Sequence, residues 1–143
     1  MAHATEPDGH RATVLYDEDC GFCRWTLAKV LAWDRPRRLR PEPIQSPEGE
    51  RLLAGMPEEE RLASWHLVGS DGVVRSGGAA LAPLLAMLPR GQRLAGLAER
   101  APRLVDRAYD WVATHRSLLG KPVTIGARRR ADAAVARRRA SAG

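Results

Sequence analysis

Residues 12–23, Ala-Thr-Val-Leu-Tyr-Asp-Glu-Asp-Cys-Gly-Phe-Cys, constrain this chain more than any other stretch. The apolar and β-branched run from 12 to 16 reads as a short strand buried on both faces. Three carboxylates follow, Asp17, Glu18 and Asp19, and Cys20 then opens a helical pattern in which Cys23, Leu27, Val30 and Leu31 share one face. Asp19 is the expected N-cap of that helix. Cys20 and Cys23 are the only cysteines of the chain. Their C-x-x-C spacing places two thiols on a first helical turn fed directly by a strand, the local geometry of a dithiol redox site.

Disulfide exchange needs one thiolate that attacks and a second thiol that resolves the mixed disulfide. Cys20 suits the first part. At a helix start its sulfur faces unpaired amide donors and the positive end of the helix dipole, and both favour the anion. Cys23, one turn further in, is expected to be more buried, less ionised and the resolving thiol. The carboxylates before Cys20 oppose a thiolate, and Arg24 partly offsets them. Asp17, at the end of a buried strand, either passes protons to Cys23 or caps the turn.

Two other readings of the pair stand beside this one. C-x-x-C is also half of a zinc site, and such a pair can sit inert in a binding module. Four histidines, His3, His10, His66 and His115, are available as further ligands, and none is paired at ligand spacing. No metal and no bound organic cofactor is therefore expected. His66 reads as a strand residue, and His115 as a helix C-terminal residue that suits the dipole.

The 143 residues, 44% of them hydrophobic, suffice for one domain with a core. The formal charge of +6 suggests an acidic partner until it is located. Of 23 basic and 17 acidic residues, seven and one lie from Lys121 onward, which leaves sixteen of each in the first 120. The basicity belongs to residues 121–143, an Arg- and Ala-rich tail. It has helix propensity but almost no apolar face, so it is expected to be a solvated helix or disordered. It would contact an anionic partner, nucleic acid or lipid, only weakly, having no aromatic residue and no nucleic-acid motif. Residues 1–11 are polar, interrupted by Pro7 and Gly9, and read as a flexible leader without the apolar core of a secretory signal. No apolar run approaches the roughly 18 to 20 residues of a membrane helix. These features place the chain in the cytoplasm, where a lone disulfide is more readily catalytic than structural.

Between leader and tail the pattern continues as a short or edge strand over 39–44, limited by Pro41 and Pro43. A helix follows, capped by Ser46 with Pro47 at its first position. A further turn is expected over 58–62, then a hairpin of strands 64–68 and 73–75 about Ser70-Asp71-Gly72. Helices are expected over 79–88, 92–100 and from 102 to about 116. In the last of these Leu104, Val105, Ala108, Tyr109 and Val112 share a face. The order β-α-β-α-β-β-α with extra C-terminal helices is that of an α/β, thioredoxin-like fold occupying residues 12–120. Gly77 and Gly78 precede a helix and either form only a turn or, like a similar glycine pair in glutaredoxin-like proteins, let a glutathione-like carboxylate approach the helix start, which makes them candidate substrate-binding residues.

The run Tyr16-Asp17-Glu18-Asp19-Cys20-Gly21-Phe22-Cys23 resembles the D-x-x-C-x-x-C signature of the DCC family of thiol-disulfide oxidoreductases, with Asp17, Cys20 and Cys23 on the motif positions. Residues 43–49, 71–77 and 109–116 are similar to the same family, so the resemblance covers roughly 12–119. It implies a thioredoxin-like fold and a redox function on a thiol or disulfide substrate, a protein or a glutathione-like molecule. Glu18 stands where family members usually carry glycine. Residues 62–65, Leu-Ala-Ser-Trp, lack the proline that thioredoxins place before the third strand.

Overall fold

The computed structural model describes residues 12–141. The leader expected over 1–11, with His3 and His10, lies outside them.

A four-stranded mixed sheet runs in the order β2-β1-β3-β4. β1 (Ala12–Tyr16) pairs in parallel with β2 (Leu39–Pro43) and antiparallel with β3 (His66–Gly69), which turns back into β4 (Val74–Ser76). The inner position of β1 explains its unbroken apolar sequence. Val14 and Tyr16 enter one core with Leu27, Leu31, Leu67 and Leu84, while Leu15 enters another with Ile44, Leu53 and Val68. Successive residues point to opposite faces, so both faces must be apolar.

The prolines of β2 fit for a geometric reason. Ala12 N–H donates to the Arg38 carbonyl and Ile44 N–H to the Tyr16 carbonyl, so even-numbered residues turn their polar groups toward β1. Pro41 and Pro43 fall on the alternate positions, where the missing N–H would have pointed away from the sheet.

α1 (Gly21–Trp33) joins β1 to β2. α2 (Pro47–Leu52) begins as expected, with Ser46 Oγ accepting from Gly49 N–H at 3.0 Å and proline in its first turn. α3 (Glu58–Ala63) precedes the hairpin, and a 3₁₀ turn, Gly77–Ala80, leads into α4 (Leu81–Met87). α5 (Gln92–Arg100) and α6 (Pro102–Leu119) follow. The whole is a mixed α/β, thioredoxin-like fold with additional C-terminal helices. Among the described residues no helix is long and apolar enough to cross a membrane.

Two expectations need correction. On α6 the inward stripe is narrower than the sequence suggests. Val105, Tyr109 and Val112 turn inward, but Leu104 is 67% exposed and Ala108 is exposed as well. The second concerns the tail, which is neither solvated on all sides nor disordered. Residues Ile125–Ser141 form α7, which lies along α1 and against β2. Ala131 and Val135 are buried, and Val135 belongs to the same core as Leu27 and Leu31. Arg138 Nη1 pairs with the fully buried Asp34 at 2.8 Å, and its Nη2 donates to the Leu31 carbonyl at 2.8 Å. Arg139 pairs with the buried Glu42 at 3.0 Å. A stripe of alanines with one valine suffices as a packing face because small side chains let the helix approach closely, and arginine completes it through hydrogen bonds.

Candidate active site

The site forms where β1 hands over to α1. Asp17 Oδ1 accepts from the Asp19 amide at 2.9 Å, and the Asp17 carbonyl accepts from the Cys20 amide at 3.2 Å. This Asx turn uses up the chain's direction change before Asp19 could cap the helix. The N-cap is therefore Cys20, not Asp19. Cys20 is extended (φ −95°, ψ 105°), and its Sγ accepts from Cys23 N–H at 3.3 Å. Cys20 and Cys23 are joined in a disulfide with Cα atoms 5.2 Å apart, a separation that such a bond accepts without backbone movement. Both cysteines are partly buried.

A residue the sequence did not single out as part of the site completes the turn. Gln45 follows the end of β2, and the parallel register of Tyr16 with Pro43 brings it beside Asp17. Gln45 Nε2 donates to Asp17 Oδ1 at 2.7 Å, and its Oε1 accepts from Glu18 N–H at 3.2 Å. The only signal for it would have been the pairing of two strands distant in sequence. Arg24, the residue after Cys23, donates Nη1 to the Glu18 carbonyl and Nε to Asp132 Oδ1 at 2.7 Å.

Gly77 and Gly78 stand at the same end of the sheet. Leu15 pairs with His66 and His66 with Ser76, so the segments before β3 and after β4 flank the end of β1. There a cleft of about 620 Å³ is lined by Ser64, Ser76, both glycines, Asp106 and Tyr109, among others. The glycines have a packing reason as well. Gly77 has φ +58°, and a Cβ on Gly78 would lie 2.5 Å from Asp106 Oδ1 and 3.1 Å from Asp106 Cα. α6 thus sits directly on the glycine pair.

The segment 62–65, which lacks a proline, spends its backbone internally. Trp65 N–H donates to Tyr109 Oη at 3.3 Å, and the Trp65 carbonyl accepts from Gly77 N–H at 3.1 Å. Burial pushes the Tyr109 phenol up from its ordinary pKa.

His66 is fully buried, with Nδ1 2.6 Å from Ser76 Oγ and Nε2 2.8 Å from the Arg61 carbonyl. A carbonyl only accepts, so Nε2 carries the proton and the Ser76 hydroxyl donates to Nδ1. Burial pushes the His66 pKa down, so the ring is neutral. His115 is occupied elsewhere, stacked on Trp111 with Nδ1 2.7 Å from the Trp111 carbonyl. Among the described residues no group of three or more His, Cys, Asp or Glu is placed to hold a metal ion.

The family model of DCC1-like thiol-disulfide oxidoreductases matches residues 14–121, which include Asp17, both cysteines and the glycine pair. No curated protein and no solved structure matches the chain.

Proposed function

The chain belongs to the DCC1-like thiol-disulfide oxidoreductase family, and on that footing we propose that it exchanges two electrons with a thiol or disulfide substrate through Cys20 and Cys23. The observation that carries this reading is the Cys20–Cys23 disulfide at the first turn of α1. Bond formation at 5.2 Å between Cα atoms needs no refolding of the helix, so dithiol and disulfide are two states of one fold.

In the reducing direction the Cys20 thiolate attacks one sulfur of a substrate disulfide. The substrate S–S bond breaks, a Cys20–substrate mixed disulfide forms, and the first substrate sulfur leaves and takes up a proton. Cys23 then loses its proton and attacks Cys20 Sγ, which closes the intramolecular disulfide and releases the second substrate thiolate. Counted from the Cys20 thiolate, the protein loses two electrons and one proton, and the substrate gains both, leaving as one thiol and one thiolate. The reverse sequence oxidises a dithiol substrate. Cys20 is the attacker because its sulfur is the cap of α1, where amide hydrogens favour the anion. Asp17 acts as a modulating residue by holding the turn that presents Cys20. The cleft beside Gly77 and Gly78 receives the substrate, a protein or a glutathione-like molecule. A cytoplasmic setting accords with this, since a single vicinal pair there is used for exchange rather than as a staple.

The test is insulin reduction or glutathione-coupled turnover by wild type, Cys20→Ser and Cys23→Ser. Loss of activity in Cys20→Ser, with a trapped mixed disulfide in Cys23→Ser, is expected. Equal turnover in wild type and Cys20→Ser would refute the role and favour a binding module on the same scaffold.

A further inference from the structure

We infer that α7, which begins beyond the residues matched by the family model, is part of the redox site, and that Arg128 is a positioning residue supplying the positive charge that favours the Cys20 thiolate. This rests on the dithiol reading above.

Two contacts tie α7 to the C-x-x-C turn, and a third anchors Arg128 to the end of α6. The Arg128 guanidinium lies against Gly21, the residue between Cys20 and Phe22. A Cβ built on Gly21 would meet Arg128 Cζ and Nε at 3.8 Å, ordinary van der Waals contact. Arg128 Nη2 donates to the Gly120 carbonyl at 2.7 Å, which fixes the guanidinium between the end of α6 and the start of α1. Asp132, one turn further along α7, holds Arg24 at 2.7 Å, and Arg24 in turn holds the Glu18 carbonyl.

The division of charge follows from these partners. Asp17, Glu18 and Asp19 put three carboxylates ahead of Cys20. Arg24 would oppose them, but its charge is met by Asp132, the one acid of α7. Among the described residues Arg128 takes part in no ion pair, and its hydrogen bond goes to a neutral carbonyl. Arg128 is exposed, so solvent screens its charge, but no carboxylate neutralises it beside the first turn of α1. A cation beside the first turn of α1 favours an anion there, and solvent and salt weaken the effect. Favouring the thiolate stabilises the dithiol and makes the disulfide more oxidising.

The experiment compares the full chain with Arg128→Gln, Arg128→Lys and Arg137→Gln. Arg137 is an exposed arginine of the same helix, so its variant removes equal charge away from the C-x-x-C turn. Ultraviolet thiolate titration and equilibration with glutathione are the readouts. In Arg128→Gln the thiolate-to-thiol ratio of Cys20 at a given pH should fall roughly three- to tenfold. The equilibrium with glutathione should move toward the disulfide, and both changes should shrink in about 0.5 M salt. Arg128→Lys should keep most of the wild-type behaviour, and Arg137→Gln all of it. Identical titrations for wild type and Arg128→Gln, in a wild type that cycles, overturn this inference and leave the dithiol reading standing. Equal changes in Arg128→Gln and Arg137→Gln overturn it too, since they would reflect net charge alone. A wild type whose thiols never interconvert overturns both.

Discussion

Gln45 and Asp17 meet at the end of two parallel strands, with Gln45 Nε2 donating to Asp17 Oδ1 at 2.7 Å while Gln45 Oε1 accepts from the Glu18 amide at 3.2 Å. One neutral amide thus fixes both the carboxylate and the backbone of the turn that presents Cys20. Gln45→Ala removes both bonds. A bond of this kind is worth about 0.5–1.5 kcal/mol. The amides of Glu18 and Asp19 should therefore exchange with solvent roughly two- to tenfold faster, with global stability nearly unchanged. Native-state hydrogen exchange reads this directly. Unaltered exchange at both amides would mean that the turn holds itself.

Arg138 closes over Asp34, which has no exposed surface and also accepts from the amides of Arg38 and Leu39. Arg138→Met leaves that carboxylate buried without a counter-charge. Removal of one partner from a buried pair costs about 3–5 kcal/mol, and the two remaining amide bonds favour the lower end. Urea denaturation should show the loss. Arg137→Met, on the exposed side of α7, should change stability by less than about 0.5 kcal/mol.

His66 gives the fold a dependence on pH. Its pKa is lowered in the folded protein by burial, so the unfolded chain binds a proton more readily. Stability is then fully present above the unfolded value of about 6.5 and falls as pH drops through it toward the lower folded value. His66→Gln should flatten the stability profile between about pH 7 and 5, whatever its offset. Parallel profiles for wild type and variant would exclude the imidazole as the source.

Gly78→Ala should be felt at a distance from the cysteines. Its Cβ would stand 2.5 Å from Asp106 Oδ1 and 3.1 Å from Asp106 Cα, so the carboxylate must rotate away and the α6 backbone must give slightly. A loss of about 1–3 kcal/mol is expected in thermal or urea unfolding. A smaller loss in the Asp106→Ala background would identify the carboxylate oxygen as the first obstacle.

The geometry of the candidate site was legible in the sequence where its cause was local. An apolar strand, three acids and a C-x-x-C define the passage from β1 to α1 without reference to anything else. Ser46-Pro47 likewise announced α2 through its own cap. What escaped was non-local. Arg24 and Asp132 are separated by 108 residues, Asp34 and Arg138 by 104, and no periodicity links them. α7 looked unfit to pack because its inward stripe, Ala127, Ala131, Ala134 and Val135, is poor in hydrophobic bulk. Arginine hydrogen bonds at its ends were not foreseeable from composition. On α6, the apolar residues covered a wider arc than the side packed on the Gly77–Ala80 turn and α1 could use, which left Leu104 and Trp111 outside.

Pro41 and Pro43 carry a consequence for assembly. The outer margin of β2 lacks amide hydrogens at both of these alternate positions, and α7 lies over it. A foreign strand arriving there would meet carbonyls and closed rings, with no ladder to extend. Growth of the sheet into fibres or strand-swapped pairs is blocked at this margin, which leaves β4 as the one edge of the described sheet where a strand could add.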